Sequence, residues 1–179
     1  LISTNARAGF SGGGSDATGG DIEIFADGGD ISFNSDLVVV SGGVAGGDGS
    51  FSSPSVGRGG NILLRTGADS ASSMNFAGNL FAGADGSSAS AGEGGAFSGG
   101  IANGIGGTVT LDIQGGDFSA GNVELTALGF GGAVDSAETA TAGFGGTAIF
   151  TQSGGTVTVG DLALRADGSG GDGRGASLA

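Results

Sequence analysis

The chain is organised by one short pattern that recurs four times, a Gly-Gly pair followed by alternating apolar residues. The first glycines of these pairs lie 40, 47 and 39 residues apart. A fixed period of this size indicates stacked copies of one structural unit, because a single unit buries too little apolar surface to be stable alone. The four occurrences are Gly19-Gly20-Asp21-Ile22-Glu23-Ile24, Gly59-Gly60-Asn61-Ile62-Leu63-Leu64, Gly106-Gly107-Thr108-Val109-Thr110-Leu111 and Gly145-Gly146-Thr147-Ala148-Ile149-Phe150.

Two further alternating runs follow in each unit, so we predict three short strands per unit. The second run comes after a turn: Ile31-Ser32-Phe33, Met74-Asn75-Phe76, Phe118-Ser119-Ala120 and Val157-Thr158-Val159. The third run begins after an Asp or Asn: Leu37-Val38-Val39, Leu80-Phe81-Ala82, Val123-Glu124-Leu125 and Leu162-Ala163-Leu164. Alternation with a period of two places one set of side chains on one face of each strand.

When the units are aligned, six apolar positions form six columns. The columns hold Ile22, Ile62, Val109, Ala148; Ile24, Leu64, Leu111, Phe150; Ile31, Met74, Phe118, Val157; Phe33, Phe76, Ala120, Val159; Leu37, Leu80, Val123, Leu162; and Val39, Ala82, Leu125, Leu164. The sequence therefore predicts an all-β chain, a parallel β-solenoid (β-helix) of about four rungs of three short strands with long Gly-rich loops. Within one repeat domain, 1–179, we place the end of a preceding rung and its loop at 1–18, and the repeats at 19–58, 59–105, 106–144 and 145–179.

Glycine is unusually frequent, at 45 of 179 residues, and much of it lies in the stretches that follow each third run. In one interpretation these stretches are flexible surface loops, because Gly and Ser make compliant linkers. In the other they emerge at the same corner of every rung and stack as an ordered, hydrogen-bonded flank. Glycine would then allow the backbones of the stacked stretches to approach each other closely. Isolated rings would anchor such a flank: Phe10, Phe51, Phe97 and Phe130.

A polar residue precedes every third run, and the four together form a corner column: Asp36, Asn79, Asn122 and Asp161. Asp and Asn tolerate the left-handed conformation and bond their own backbone in Asx-turns, so we expect a structural turn column. The alternative is a ladder of side chains that binds cations or coats a surface. Two of the four members are neutral amides, which weakens that alternative.

Calcium is the one cofactor that the motifs suggest. The Gly-rich stretches around Asp30 and Asp48 are similar to calcium-binding nonapeptide repeats, which makes these two carboxylates the candidate ligands. The period of nine residues that defines such repeats is missing. No other cofactor is expected.

The composition excludes most catalytic devices. The chain has no His and no Cys, and all five of its Lys and Arg residues are Arg. It therefore lacks the usual base-activated nucleophiles, the thiolate and imidazole metal ligands and a Schiff-base lysine. We predict that the chain is not an enzyme and has no catalytic residue.

The net charge and the hydropathy of the sequence limit the classes of partner that are expected. The net charge of −13 repels phosphate backbones, so nucleic acid is not expected as a partner. No apolar stretch approaches the roughly 20 residues needed to span a bilayer, so membrane insertion is not expected either.

The two ends of the sequence suggest association. Residues 2–9 are similar to the third strand of a preceding rung, and the final layer leaves Phe150, Val157 and Leu164 without a covering rung. Open strand edges favour pairing with another strand. We therefore predict stacking on other rungs, either head to tail with a second copy or within a longer chain.

The repeat resembles the stalks of filamentous-haemagglutinin-like and autotransporter-type secreted bacterial adhesins. The resemblance rests on the Gly-Gly-x-Ile-x-Ile pattern, the corner Gly121-Asn122-Val123-Glu124-Leu125 and the Gly/Ser/Ala/Asp tracts, and it covers essentially the whole chain. It implies export, an extracellular or cell-surface location, and a role as a structural fibre or adhesin stalk. The alternative function is that of a solenoid module whose Gly-rich flank binds a host or surface glycan, or calcium.

Overall fold

The protein is an all-β parallel solenoid, which confirms the fold class predicted from the repeat. The computed structural model describes residues 2–7, 16–45, 55–88, 102–132 and 141–171. In these residues every regular element is a β-strand, and every strand pair is parallel. Each strand pairs with the equivalent strand of the next rung, so the rungs stack along one axis.

The strands repeat in one order along the chain. They are β1 (Ile2–Ser3), β2 (Ala6–Arg7), β3 (Ala17–Thr18), β4 (Asp21–Ala26), β5 (Asp30–Phe33), β6 (Leu37–Val40), β7 (Gly43–Ala45), β8 (Ser55–Arg58), β9 (Asn61–Thr66), β10 (Ser73–Phe76), β11 (Leu80–Gly83), β12 (Gly86–Ser88), β13 (Ala102–Ile105), β14 (Thr108–Ile113), β15 (Asp117–Ser119), β16 (Val123–Thr126), β17 (Gly129–Phe130), β18 (Gly143–Phe144), β19 (Thr147–Gln152), β20 (Thr156–Thr158), β21 (Leu162–Arg165) and β22 (Gly168–Ser169).

These strands form five sheets in the described part of the chain. Sheet 1 contains β4, β9, β14 and β19, and sheet 2 contains β5, β10, β15 and β20. Sheet 3 contains β1, β6, β11, β16 and β21. Sheet 4 contains β2, β7, β12, β17 and β22, and sheet 5 contains β3, β8, β13 and β18. A complete rung therefore has five strands rather than the predicted three, because the Gly-rich stretches contribute two more.

Sheets 1, 2 and 3 enclose the hydrophobic core, and the apolar columns lie in register across them. In sheet 1, Ile22 pairs with Ile62, Ile62 with Val109, and Val109 with Ala148. Register pairs likewise join the members of the columns that begin with Ile24, Ile31, Leu37 and Val39. In the remaining column Phe33 pairs with Phe76, while Ala120 and Val159 lie just beyond β15 and β20 and pack against the core.

The inner rungs bury nearly all of their column residues. Leu64, Val109 and Leu125 have no exposed surface. Burying a side chain of this size contributes about 1.5–3 kcal/mol relative to leaving it in water. Aromatic rings add a stacked contact between Phe33 and Phe76, whose centroids are 5.3 Å apart. The core is therefore held by contacts between equivalent residues of successive rungs.

The corner between sheets 1 and 2 depends on glycines in the left-handed conformation. Gly28, Gly116 and Gly155 have φ angles of 67°, 65° and 71°. No other described residue has a positive φ angle. Glycine adopts this conformation without the steric cost that a Cβ atom brings, which explains why this turn is Gly-rich in three of the rungs.

Sheets 4 and 5 pack face to face and form a thin projection beside the core, here called the flange. Their facing residues are small, and glycine is the commonest of them. A Cβ atom on Gly57 would lie 1.9 Å from the carbonyl oxygen of Ser87, and one on Gly104 would lie 2.2 Å from that of Phe130. Side chains at these positions would force the two sheets apart. The Gly-rich stretches thus form an ordered flank over their described strands, in agreement with the second interpretation above.

The rings expected to anchor this flank do not do so where they are described. Phe130 lies on β17 next to Gly129, points away from sheet 5 and is 42% exposed. The contact between the facing backbones leaves no room for a ring. Phe10, Phe51 and Phe97 lie outside the described residues.

The repeated Gly-Gly pair is the neck between flange and core. It connects sheet 5 to sheet 1 and crosses the segment that connects sheet 3 to sheet 4. Gly60 N donates to the carbonyl oxygen of Ser41 at 3.0 Å, and Gly107 N to that of Ala84 at 2.7 Å. A Cβ atom on Gly59 would lie 2.1 Å from the Ala84 oxygen. Glycine is required here because two backbones cross in contact, and these hydrogen bonds close each rung around the core.

Candidate functional site

The C-terminal end of the described stack is the most unusual surface of the molecule, because its core residues are uncovered. This end, here called the open end, consists of β19, β20 and β21. Leu162 and Leu164 are 37% and 44% exposed, whereas Val123 and Leu125, their partners one rung earlier, are 1% and 0% exposed. Isolated exposed leucines are ordinary, whereas these two residues belong to a whole layer of at least partly exposed column residues.

Three further column residues complete this apolar surface. Phe150, Val157 and Val159 are half-buried and pack against the core from the open end. The outer edges of the same strands offer backbone donors and acceptors, which pair readily with another strand. The open end therefore offers both apolar surface and hydrogen bonds to a further rung.

The corner column forms a ladder of hydrogen bonds between rungs. Asn79 N donates to Oδ1 of Asp36 at 2.7 Å, Asn122 N to Oδ1 of Asn79 at 2.9 Å, and Asp161 N to Oδ1 of Asn122 at 3.1 Å. Each side chain thus bonds the equivalent residue of the next rung rather than its own turn. None of the four has a positive φ angle, so these residues do not use the left-handed conformation that Asp and Asn tolerate. The side-chain oxygen provides an inter-rung acceptor at a corner between two sheets.

The same side-chain to backbone hydrogen bond between rungs occurs at four positions that the sequence analysis missed. In each case the Oδ1 atom accepts from the backbone N–H of the equivalent residue one rung later: Asn5 from Gly42, Asp16 from Val56, Asp85 from Leu128 and Asn103 from Ala142. The partners are 37, 40, 43 and 39 residues apart, close to one repeat length. This spacing is visible in the sequence and could have identified these Asp and Asn residues. The backbone N–H that each side-chain oxygen accepts from can be named only when the strand register is known.

The ladder makes a testable contribution to stability. Replacing Asn122 with Ala removes the oxygen that accepts from Asp161 N. We expect the free energy of unfolding, measured by urea denaturation, to fall by about 1 kcal/mol. Asn122→Asp keeps an oxygen at this position, and 0.5 M salt screens its repulsion with neighbouring carboxylates. In that salt Asn122→Asp should lose less than half as much as Asn122→Ala, and equal losses would contradict the ladder.

In the structure Asp30, the first calcium candidate, has a protein partner. Oδ1 of Asp30 accepts a hydrogen bond from the Ser73 hydroxyl of the next rung. The part of the chain that the structure describes contains no group of three or more acidic, His or Cys residues placed to hold a metal ion. Asp48, the second calcium candidate, lies outside the described residues.

Comparison of the chain with protein-family models, with curated proteins and with solved structures finds no match. Within the described ranges, no helix has the length and apolar character needed to cross a membrane. The function is therefore argued from the geometry of the stack and of its surfaces.

Proposed function

We propose that this chain is a structural rod segment of an extracellular or cell-surface fibre or adhesin stalk. The observation that carries the proposal is the stack itself, in which six apolar columns continue from rung to rung and end in an uncovered layer. Each rung adds about 4.8 Å to the length of such a rod. Repeats that contact only their neighbours extend without changing the fold. The resemblance to secreted adhesin stalks supports the extracellular location.

The open end favours self-association as the way the rod continues. A further rung of the same kind would bring apolar residues over Phe150, Leu162 and Leu164. It would also place a backbone N–H above Oδ1 of Asp161, which has no such partner in the described residues. The partner in this proposal is therefore another rung of this sequence type rather than nucleic acid or a membrane.

The proposal predicts concentration-dependent association of the 179-residue chain. Sedimentation velocity over a hundredfold range of concentration should show oligomers that grow with concentration, and negative-stain electron microscopy should show elongated particles. Association should proceed through the open end because its leucines are the exposed core residues. A strictly monomeric, stable and compact particle at high concentration would overturn the proposal.

A pair of neighbouring substitutions tests whether the open end is the surface used. Leu164→Glu places a charge on the exposed apolar layer, and because Leu164 is already 44% exposed the rung should remain folded. Association should weaken by at least about tenfold. Ala163→Glu, the matched control, adds the same charge to the outward face of β21 and should leave association unchanged. Equal effects of the two substitutions would show that another surface is used.

A further inference from the structure

A groove with polar side chains and a larger apolar surface, to which Ile22 and Ile62 contribute, lies on the outward face of sheet 1, away from the open end. Its volume is about 440 Å³, within the range of small-molecule sites. The outward residues of three successive strands line it in two columns: Asp21, Asn61 and Thr108, and Glu23, Leu63 and Thr110. The register of the solenoid fixes the spacing of these side chains, so the groove is preformed.

The first column offers hydrogen-bonding groups of several kinds. Asn61 Nδ2 donates to Oδ1 of Asp21 at 2.8 Å, which orients both side chains. This leaves the second carboxylate oxygen of Asp21 and the amide oxygen of Asn61 as acceptors. The hydroxyls of Thr108 and Thr110 have no hydrogen-bond partner within the described part of the chain, and a hydroxyl both donates and accepts. The lining therefore matches a ligand that carries many hydroxyl groups.

The charges beside the groove are partly balanced and disfavour an anionic ligand. Oε1 of Glu23 lies 3.5 Å from the Arg65 guanidinium, which is stacked over the Phe25 ring at 4.2 Å from the ring centroid. The two acids and one Arg leave the site with a net negative charge, in a chain of net charge −13. A sulfated or uronic-acid polymer would be repelled. Leu63 in the groove and the Phe25 ring at its border, which is 38% exposed, add apolar surface.

We propose that this groove binds a neutral glycan segment. Sugar hydroxyls would bond Asp21, Asn61 and the two threonines, and the apolar faces of the sugar rings would pack on Leu63. The site differs from the Gly-rich flank considered above as a glycan-binding surface, because it lies on the regular strands of sheet 1. The inference does not rest on the rod function, since the groove is formed by β4, β9 and β14 and does not include the open end.

The test uses the 179-residue chain and defined oligosaccharides. Isothermal titration calorimetry with cellohexaose, xylohexaose, mannohexaose and chitohexaose covers neutral glycans, and a heparin hexasaccharide supplies the anionic comparison. At least one neutral probe should bind with millimolar or better affinity, and heparin should not. Failure of every neutral probe, or binding of heparin alone, would overturn the proposal.

Substitutions that keep the strand intact locate the site. The double variant Thr108→Val with Thr110→Val removes two hydroxyls while keeping β-branched side chains, and it should weaken binding of the neutral probe by about tenfold or more. Thr158→Val on β20 makes the same change on the outward face of sheet 2 and is the control. Unchanged binding by the double variant, with an unchanged melting temperature, would exclude the groove. Sedimentation of the double variant should match that of the original chain, which separates this inference from the rod proposal.

Discussion

Leu125→Asp is expected to lower the free energy of unfolding by at least about 4 kcal/mol and to unfold its rung. Leu125 has no exposed surface and lies between Ala82 and Leu164 in its column. The substitution removes core packing and places a carboxylate where no partner is available to it. Urea denaturation followed by circular dichroism measures the loss. Limited proteolysis should show cleavage near β16 that the original chain resists.

The neighbouring residue provides the control for this experiment. Glu124 lies on the opposite face of the same strand, and its carboxylate is 3.5 Å from Arg165 in an exposed ion pair. Such pairs contribute at most about 1 kcal/mol, so Glu124→Ala should change the free energy of unfolding very little. A large loss for Glu124→Ala together with an unchanged melting temperature for Leu125→Asp would mean that the two faces of the strand are exchanged.

Gly57→Ala is expected to cost about 3 kcal/mol, which is large for the addition of one methyl group. The new Cβ atom would lie 1.9 Å from the carbonyl oxygen of Ser87 and 2.7 Å from that of Gly43. Both obstacles are backbone atoms, so a side-chain rotation gives no relief, and sheets 4 and 5 must separate. Loss of amide hydrogen-exchange protection should be concentrated in β7, β8 and β12.

Gly29→Ala is the matched control for the flange. Gly29 lies at the corner between sheets 1 and 2, where a Cβ atom would meet nothing within 4 Å and the φ angle is not in the left-handed region. The substitution reduces the conformational freedom of the unfolded chain, so the free energy of unfolding should stay the same or rise by up to about 1 kcal/mol. If Gly29→Ala and Gly57→Ala had equal effects, the close contact between the two flange sheets would be contradicted.

The core of the solenoid was predictable because its signal is strong and redundant. Residues such as Ile22, Ile62 and Val109 are large, alternate with polar neighbours and recur at the repeat spacing. Period-two alternation fixes the inward face, and the repeat fixes which residues are stacked. In a parallel stack of equivalent strands these two facts determine the register.

The flange and the ladder were predicted less completely, for two physical reasons. The inner face of the flange consists of residues such as Gly43, Gly57 and Gly86, which carry no hydrophobic alternation, so two of the five strands in each rung gave no strand signal. The corner residues Asn79 and Asn122 were recognised, but local turn chemistry predicts a partner in the same turn. Their partners lie one repeat later, and only the stacking brings them within hydrogen-bond distance.

The connections between strands, rather than the strands themselves, take up the differences in length between repeats. The second rung has six residues, 67–72, at the corner where the first rung has three, 27–29. Between β12 and β13 it has thirteen residues, 89–101, where the first rung has nine, 46–54, between β7 and β8. These differences account for repeat spacings of 47 and 40, yet β9 and β14 pair as regularly as β4 and β9. Doubling the length of a connection costs only about 0.6 kcal/mol in loop-closure entropy, so such insertions destabilise the fold little. Evolution or protein engineering can therefore insert sequence at the corner and between the two flange strands of a rung, while the strand register that defines the fold is kept.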